Sequence, residues 1–145
     1  MFKFTLQTVL EVRERFEKIK YKEYSAELLI KQELENERAD HLAALRRAGQ
    51  NADHARTTTR IAAPLQFHDH FRQRIQELIV VLDKRLRDQD EKVEVKRKEL
   101  VEARRSHKAL EILREKEFGR YQSDAVRLER AVMDETASNY HVYGR

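Results

Sequence analysis

Cysteine and tryptophan are absent, and 145 residues hold one proline, three glycines and only 8% aromatics. Without cysteine there is no disulfide framework and no thiolate metal site, which fits a reducing compartment. So little glycine and proline cannot punctuate a many-stranded sheet or a multi-turn α/β fold. No stretch approaches the roughly 20 apolar residues of a membrane-spanning helix. The opening residues are broken by Thr5, Gln7, Thr8 and Glu11. They lack the continuous apolar core and small-residue cleavage site of a signal peptide. Phosphate-binding GxxxxGK[ST], dinucleotide-binding GxGxxG and the GxSxG nucleophile elbow are all missing. Charge of one sign is missing too: 30 basic residues face 26 acidic ones, for a net +4. Mixed signs at that density describe a solvated surface rather than a face built to grip polyanions.

What is present is helix-forming. Ala, Glu, Lys, Leu and Arg supply more than half of the chain, the composition of coiled coils and long helices. With 39% charged residues, a thick globular core is excluded, and the length suits a single domain. Apolar residues at Leu6, Val9, Phe16, Ile19, Ala26, Ile30, Leu34, Leu42 and Leu45 recur at separations of three, four or their sums. That spacing predicts a first helix over about residues 4–48. Glu11–Arg15, Glu14–Lys18 and Glu27–Lys31 add i,i+4 support. Arg46 and Arg47 complement a helix C-terminus, and Gly49 suits the left-handed cap.

A linker is expected over about 49–63, where Asn51, Asp53 and the run Thr57-Thr58-Thr59 favour turns and caps. Pro64 suits a first helical turn. A second helix over about 64–137 follows, leaving a tail at 138–145. Its stripe is Phe71, Ile75, Leu78, Leu82, Leu86, Val93, Leu100, Ala103 and Leu110, continuing through Leu113, Tyr121, Ala125, Leu128 and Val132. Asp83–Arg87, Asp88–Lys92 and Glu94–Lys98 decorate its exposed side, and Gly119 marks a place for a bend.

Two long helices around one short linker run antiparallel. The fold class is therefore all-α: an elongated antiparallel two-helix coiled coil, or helical hairpin, with a longer C-terminal helix. The helices span roughly 70 Å and 110 Å at about 1.5 Å per residue. This linker sets Leu6 opposite about Lys108, so beyond about Leu110 the second helix has no partner. Its stripe stays apolar there, and a bare apolar stripe asks for a covering protein.

Candidate chemistry is sparse. His68 and His70 flank Asp69, but residues two apart on a helix point to nearly opposite sides, whereas a helical metal pair needs i,i+3 or i,i+4. A solvated polar turn is the simpler reading. His107 falls in the core register between Ala103 and Leu110 and reads as a polar residue that fixes register. Carboxylates are too evenly spread to single out an acid and base, and a two-helix rod offers no water-excluding pocket. No catalytic residue, cofactor or metal is expected. Arg46-Arg47 and the run Arg104 to Lys108 could contact phosphate, which leaves an RNA-binding helical arm as an alternative. The linker holds only Arg56 and Arg60, with no basic run interleaved with aromatics, so no nucleic acid is expected. A generic homodimeric scaffold, with a second copy covering the overhang, is another alternative.

The chain ends carry more specific patterns. The start, Phe2-Lys3-Phe4-Thr5-Leu6-Gln7-Thr8-Val9-Leu10-Glu11-Val12-Arg13, resembles the F-x-F-x-L-Q-x-V-L-x-x-R opening of the FliJ family. That family comprises small coiled-coil proteins of the bacterial flagellar export apparatus. Lys108-Ala109-Leu110-Glu111-Ile112-Leu113-Arg114-Glu115-Lys116, then Tyr121, Glu129 and Asp134-Glu135-Thr136-Ala137, resembles the family's K-x-L-E-x-L-x-E-K … DE-x-A ending. Thr136 stands where the family is usually aliphatic.

The resemblance implies a protein like the central stalk of a rotary ATPase, inserted in the hexameric flagellar export ATPase. It also implies contact with the cytoplasmic domain of the membrane export gate and binding of free export chaperones. The location would be cytoplasmic, peripheral to the cell membrane at the flagellar base, with no direct membrane span. ATPase-ring contacts would fall on Phe4, Leu6, Leu10, Leu110, Leu113, Arg114, Tyr121 and Leu128. The hairpin would set Phe4, Leu6, Val9 and Leu10 beside His107, Leu110, Glu111 and Arg114. From there the unpaired helix would project about 40 Å. Gate contacts would fall on Leu42, Leu45, Phe71, Ile75, Leu78 and Leu82. The stalk of another secretion system or rotary ATPase would share this architecture.

Overall fold

The computed structural model describes residues 1–58 and 62–143, with backbone alone at 62–65, 140, 142 and 143. Two long helices, packed against each other, make up the fold: α1, Gln7–Thr58, of 52 residues, and α2, Ala62–Tyr143, of 82. Among the described residues there is no strand. The all-α hairpin expected from composition and periodicity is the fold observed.

The expected linker is largely helix. Gly49 lies inside α1, and no described glycine has a positive φ. A glycine in a helix interior costs up to about 1 kcal/mol relative to alanine. Burial on both sides offsets it: Ala48 and Ala52, one turn apart, are among the most buried residues of the chain. The threonines that favour turns bond back into the helix instead. Thr57 Oγ1 donates to the His54 carbonyl at 2.7 Å, and Thr58 Oγ1 donates to the same carbonyl at 2.6 Å, a bond that helical threonine can make. Arg46 and Arg47 are therefore mid-helix rather than terminal. Pro64 falls in the first turn of α2, and α2 continues through most of the expected tail. Thr59, Arg60 and Ile61 of the linker, and Gly144 and Arg145 of the tail, lie outside the described residues.

The chain divides into two compact units. In the unit of residues 20–100, the buried apolar side chains are Ala48, Ala52, Ile75, Leu82 and Leu100. Cross-helix bonds set its register: Lys20 reaches Glu99 at 2.9 Å, Lys96 reaches Glu23 at 2.9 Å, Lys31 reaches Asp90 at 2.7 Å, and Arg38 pairs with Asp83. Lys31 and Asp83 are thus drawn away from their expected i,i+4 partners Glu27 and Arg87. Gln89 fills a seam position that the apolar pattern skips. It is 5% exposed and donates from Nε2 to the Glu27 carbonyl at 3.0 Å and to the Glu27 carboxylate.

The other unit comprises residues 1–19 and 101–145, with Phe4, Leu10 and Ala103 buried. Glu17 accepts from Arg104 Nε at 3.1 Å and sits 2.7 Å from His107 Nδ1. His107 is half-buried, as its register position suggests. The pairing differs from expectation, because Phe2 packs on Phe118 and Tyr121. Leu6 therefore lies nearer Arg114 than Lys108, and His107 faces Glu17 rather than Phe4 and Leu6. The physical reason is where the helices end: α1 runs to Thr58 and α2 begins at Ala62, which shifts the register by more than a turn from that of a linker over 49–63.

The inward face of α1 also differs. Val9, Phe16, Ile19 and Ile30 were expected in the seam and are exposed. Charged positions with partners on α2, such as Glu17, Lys20, Glu23 and Lys31, take the inward places. Since nothing lies within 4 Å of a Cβ added at Gly49, Gly49→Ala is expected to stabilise the protein by about 0.5–1 kcal/mol in urea unfolding. A left-handed cap there would make the same substitution destabilising.

Candidate partner-docking surfaces

The first surface lies in the unit holding both chain ends. Gln7 N–H donates to the Phe4 carbonyl at 3.2 Å, closing a turn ahead of α1. Phe4 is buried, and Phe2 swings onto α2. Its ring meets Phe118 edge-on at 5.3 Å between centroids and lies 5.7 Å from Tyr121. Such aromatic contacts contribute about 0.5–1.5 kcal/mol beyond the area they bury. A groove of about 660 Å³ runs between Phe2, Phe4 and Gln7 on one side and Arg114, Glu115 and Phe118 on the other.

Of the eight residues expected to touch an ATPase ring, Phe4 and Leu10 are buried, and Leu6 and Leu110 are half-buried. Phe4 and Leu10 hold the hairpin together and present no docking surface while it is closed. Leu113, Arg114, Tyr121 and Leu128 are exposed. Beyond Tyr121 every described side chain except Ala125 is exposed, including Leu128 at 67% and Met133 at 68%.

The second surface lies in the unit of residues 20–100. Ile75 and Leu82 are buried seam residues, Leu42 and Leu45 are half-buried, and Phe71 and Leu78 are exposed. Phe71 and Leu78 border a groove of about 790 Å³ with Phe67, Arg74 and Val81, all on α2. The apolar face of α2 is thus wider than its seam. Periodicity picks out the seam and misses Phe67 and Val81, although Phe67 stands one turn before Phe71. His68 and His70 border different grooves, His68 beside Arg47 and His70 beside Arg74.

The chain-end motifs therefore meet in space, Phe2 to Gln7 against Arg114 to Tyr121. That juxtaposition is matched at the level of the family: the sequence profile described as Flagellar FliJ protein covers residues 2–143. The chain belongs to the FliJ family. Comparisons with curated proteins and with solved structures gave no match. FliJ membership makes this a flagellar export-related protein, a structural component whose partners belong to the export apparatus at the flagellar base. Among the described residues no helix is long and apolar enough to cross a membrane.

Ion pairs reinforce the register of this FliJ-family protein in the unit of residues 20–100. Lys20, Glu23, Lys96 and Glu99 form a closed four-membered ring across the helices. Hydrogen bonds from Lys96 and then Lys20 lower the pKa of Glu23, and those from Lys20 and then Lys96 lower that of Glu99. Both lysines are raised by the same bonds. The carboxylates' contribution to stability is present above the ordinary carboxylate range and lost as pH falls through their lowered values. That of the lysines is present below the ordinary lysine value and lost as pH rises through their raised ones. Melting temperature followed by circular dichroism should therefore fall at both extremes. Lys20→Met combined with Lys96→Met should flatten both limbs, and added salt should do so partly. Unchanged limbs in the double variant would remove the ring from the account.

Proposed function

We propose that this chain is the central stalk of the flagellar export ATPase, with the end of α2 inserted in the hexameric ring. The observation that carries the reading is the exposed run of Tyr121, Val126, Leu128, Val132 and Met133 on α2. It adjoins the Phe2–Phe118–Tyr121 cluster, where the two family motifs meet. Water solvates an apolar helix stripe poorly, so a ring of apolar or amphipathic surfaces is a favourable environment for it. The stalk's asymmetric side chains would make each ring subunit see a different surface. That difference would couple successive hydrolysis steps to the gate while the stalk itself performs no chemistry.

Gate contact is assigned to the exposed members of the second surface, Phe71 and Leu78. Ile75 and Leu82 anchor the seam beneath them, and Leu42 and Leu45 support it from α1. Free export chaperones are the third class of partner, which the family role favours without singling out a surface.

The test is turnover of the purified export ATPase with and without this protein. Leu113→Asp, Tyr121→Asp and Leu128→Asp together should weaken the response at least tenfold, because each places a charge where an apolar contact is lost. The helical signal should persist, since all three positions are exposed. A triple variant that stimulates turnover like the parent would contradict insertion.

A further inference from the structure

Val9, Val12, Phe16 and Ile19 stand three, four and three residues apart in α1, the a and d spacing of a coiled-coil seam. They do not lie in the seam with α2. In the unit of residues 1–19 and 101–145, Leu10 is buried, and Glu17, one heptad on, is held by Arg104 and His107. At 3.6 residues per turn the stripe lies roughly a third of a turn from those two. Val9 is 43% exposed, Val12 56%, Phe16 42% and Ile19 52%. Single exposed apolar residues are ordinary, but four in heptad spacing on one helix face form a strip that asks for cover. The next position in the series is Glu23, so the strip runs about 15 Å, nearly three turns.

Charge indicates what covers it. In a coiled coil the residues flanking the seam, at e and g, select the partner. Beside this strip they are Arg13 on one edge, and Thr8 and Arg15 on the other. Both arginines are exposed, and neither has an ion-pair partner among the described residues. The acids of the same stretch are already engaged. Gln7 donates to Glu11 at 3.0 Å, Lys18 to Glu14 at 2.6 Å, and Arg104 to Glu17 at 3.1 Å. A second copy is a poor occupant. Antiparallel pairing of two such strips would set Arg13 against Arg13 and Arg15 against Arg15, and parallel pairing would set Arg13 against Thr8 and Arg15 against Lys20. No acid meets an arginine in either orientation. A helix with aspartate or glutamate at its flanks meets both arginines while covering the apolar strip.

We propose that this face of α1 docks an amphipathic helix of another protein, one with an apolar stripe and acidic residues on both flanks. The docked segment lies along α1 as a third helix. The proposal goes beyond the stalk reading, since none of the four strip residues belongs to the surfaces assigned to the ring or the gate.

Fluorescence anisotropy of a labelled synthetic helix is the test. One peptide of three heptads carries leucine at its core positions and glutamate at both flanks, and its control differs only in carrying lysine there. The full chain is expected to bind the glutamate peptide about tenfold more tightly than the control, with less difference as salt rises. Val12→Asp should weaken that binding about tenfold by removing an apolar contact. Arg13→Glu with Arg15→Glu should reverse the preference, so that the lysine peptide binds the better. Leu128→Asp, on the stretch that the stalk reading uses, should leave both affinities unchanged, so failure of either reading shows separately. All four positions are exposed, and an unchanged helical signal confirms folding. Equal binding of the two peptides, or an unreversed preference in the arginine variant, would overturn the proposal. So would a dimer of the chain alone that Val12→Asp dissociates in sedimentation, which would make a second copy the occupant.

Discussion

The buried amide of Gln89 holds the chain's alignment in the unit of residues 20–100. At 5% exposure it is shielded from water, and among the described residues its hydrogen bonds go to the carbonyl and carboxylate of Glu27. Sliding one helix past the other by a heptad would part that amide from Glu27, costing about 1–3 kcal/mol where the bond goes unmet. Apolar seams tolerate such slips, and one buried polar residue specifies register at some cost in stability. The ion pairs on either side are exposed or half-exposed and screened by salt, so they reinforce an alignment that Gln89 already defines.

Charged side chains such as Glu17, Lys20, Glu23 and Lys31 take half-buried places beside the apolar seam and leave apolar ones elsewhere. Val9, Val12, Ile19, Leu29 and Ile30 are exposed on α1, as are Leu128, Val132 and Met133 on α2. Among the described residues no side chain of large volume is fully buried, so the hairpin is stabilised through length and many small contacts. Such a protein keeps apolar faces available to partners, and its dense mixed charge opposes indiscriminate association.

The fold class was legible because period and composition agree: five helix-forming residue types, one proline, and apolar spacings of three and four. The turn was misread for a specific reason. Gly49 and the threonine run carry local preferences for ending a helix, and those preferences are worth about 1 kcal/mol each. Packing of Ala48 and Ala52 against the partner helix outweighs them, and such packing is invisible to a one-dimensional reading. The inward face of α1 was misread for a related reason. That helix carries two candidate faces, one apolar and one charged, and the charged one has complementary residues on α2. Periodicity finds a stripe without saying where it points. The end motifs were legible as a family resemblance, and their meeting at Phe2, Phe118 and Tyr121 needed the register. Phe67 and Val81 lie beside the seam, outside the period that reveals it.

Register is the central claim, and the absence of cysteine makes it directly measurable, since any introduced pair is unique. Lys31→Cys with Asp90→Cys, treated with a short bis-maleimide, should cross-link within one chain, because the parent side chains lie 2.7 Å apart. Lys31→Cys with Asp83→Cys should not, since that pair lies together only if the turn spans 49–63. A helix moves about 10 Å in seven residues, beyond what a short linker tolerates. Efficient cross-linking of the 31–83 pair, with none for 31–90, would contradict the register and the surfaces it defines.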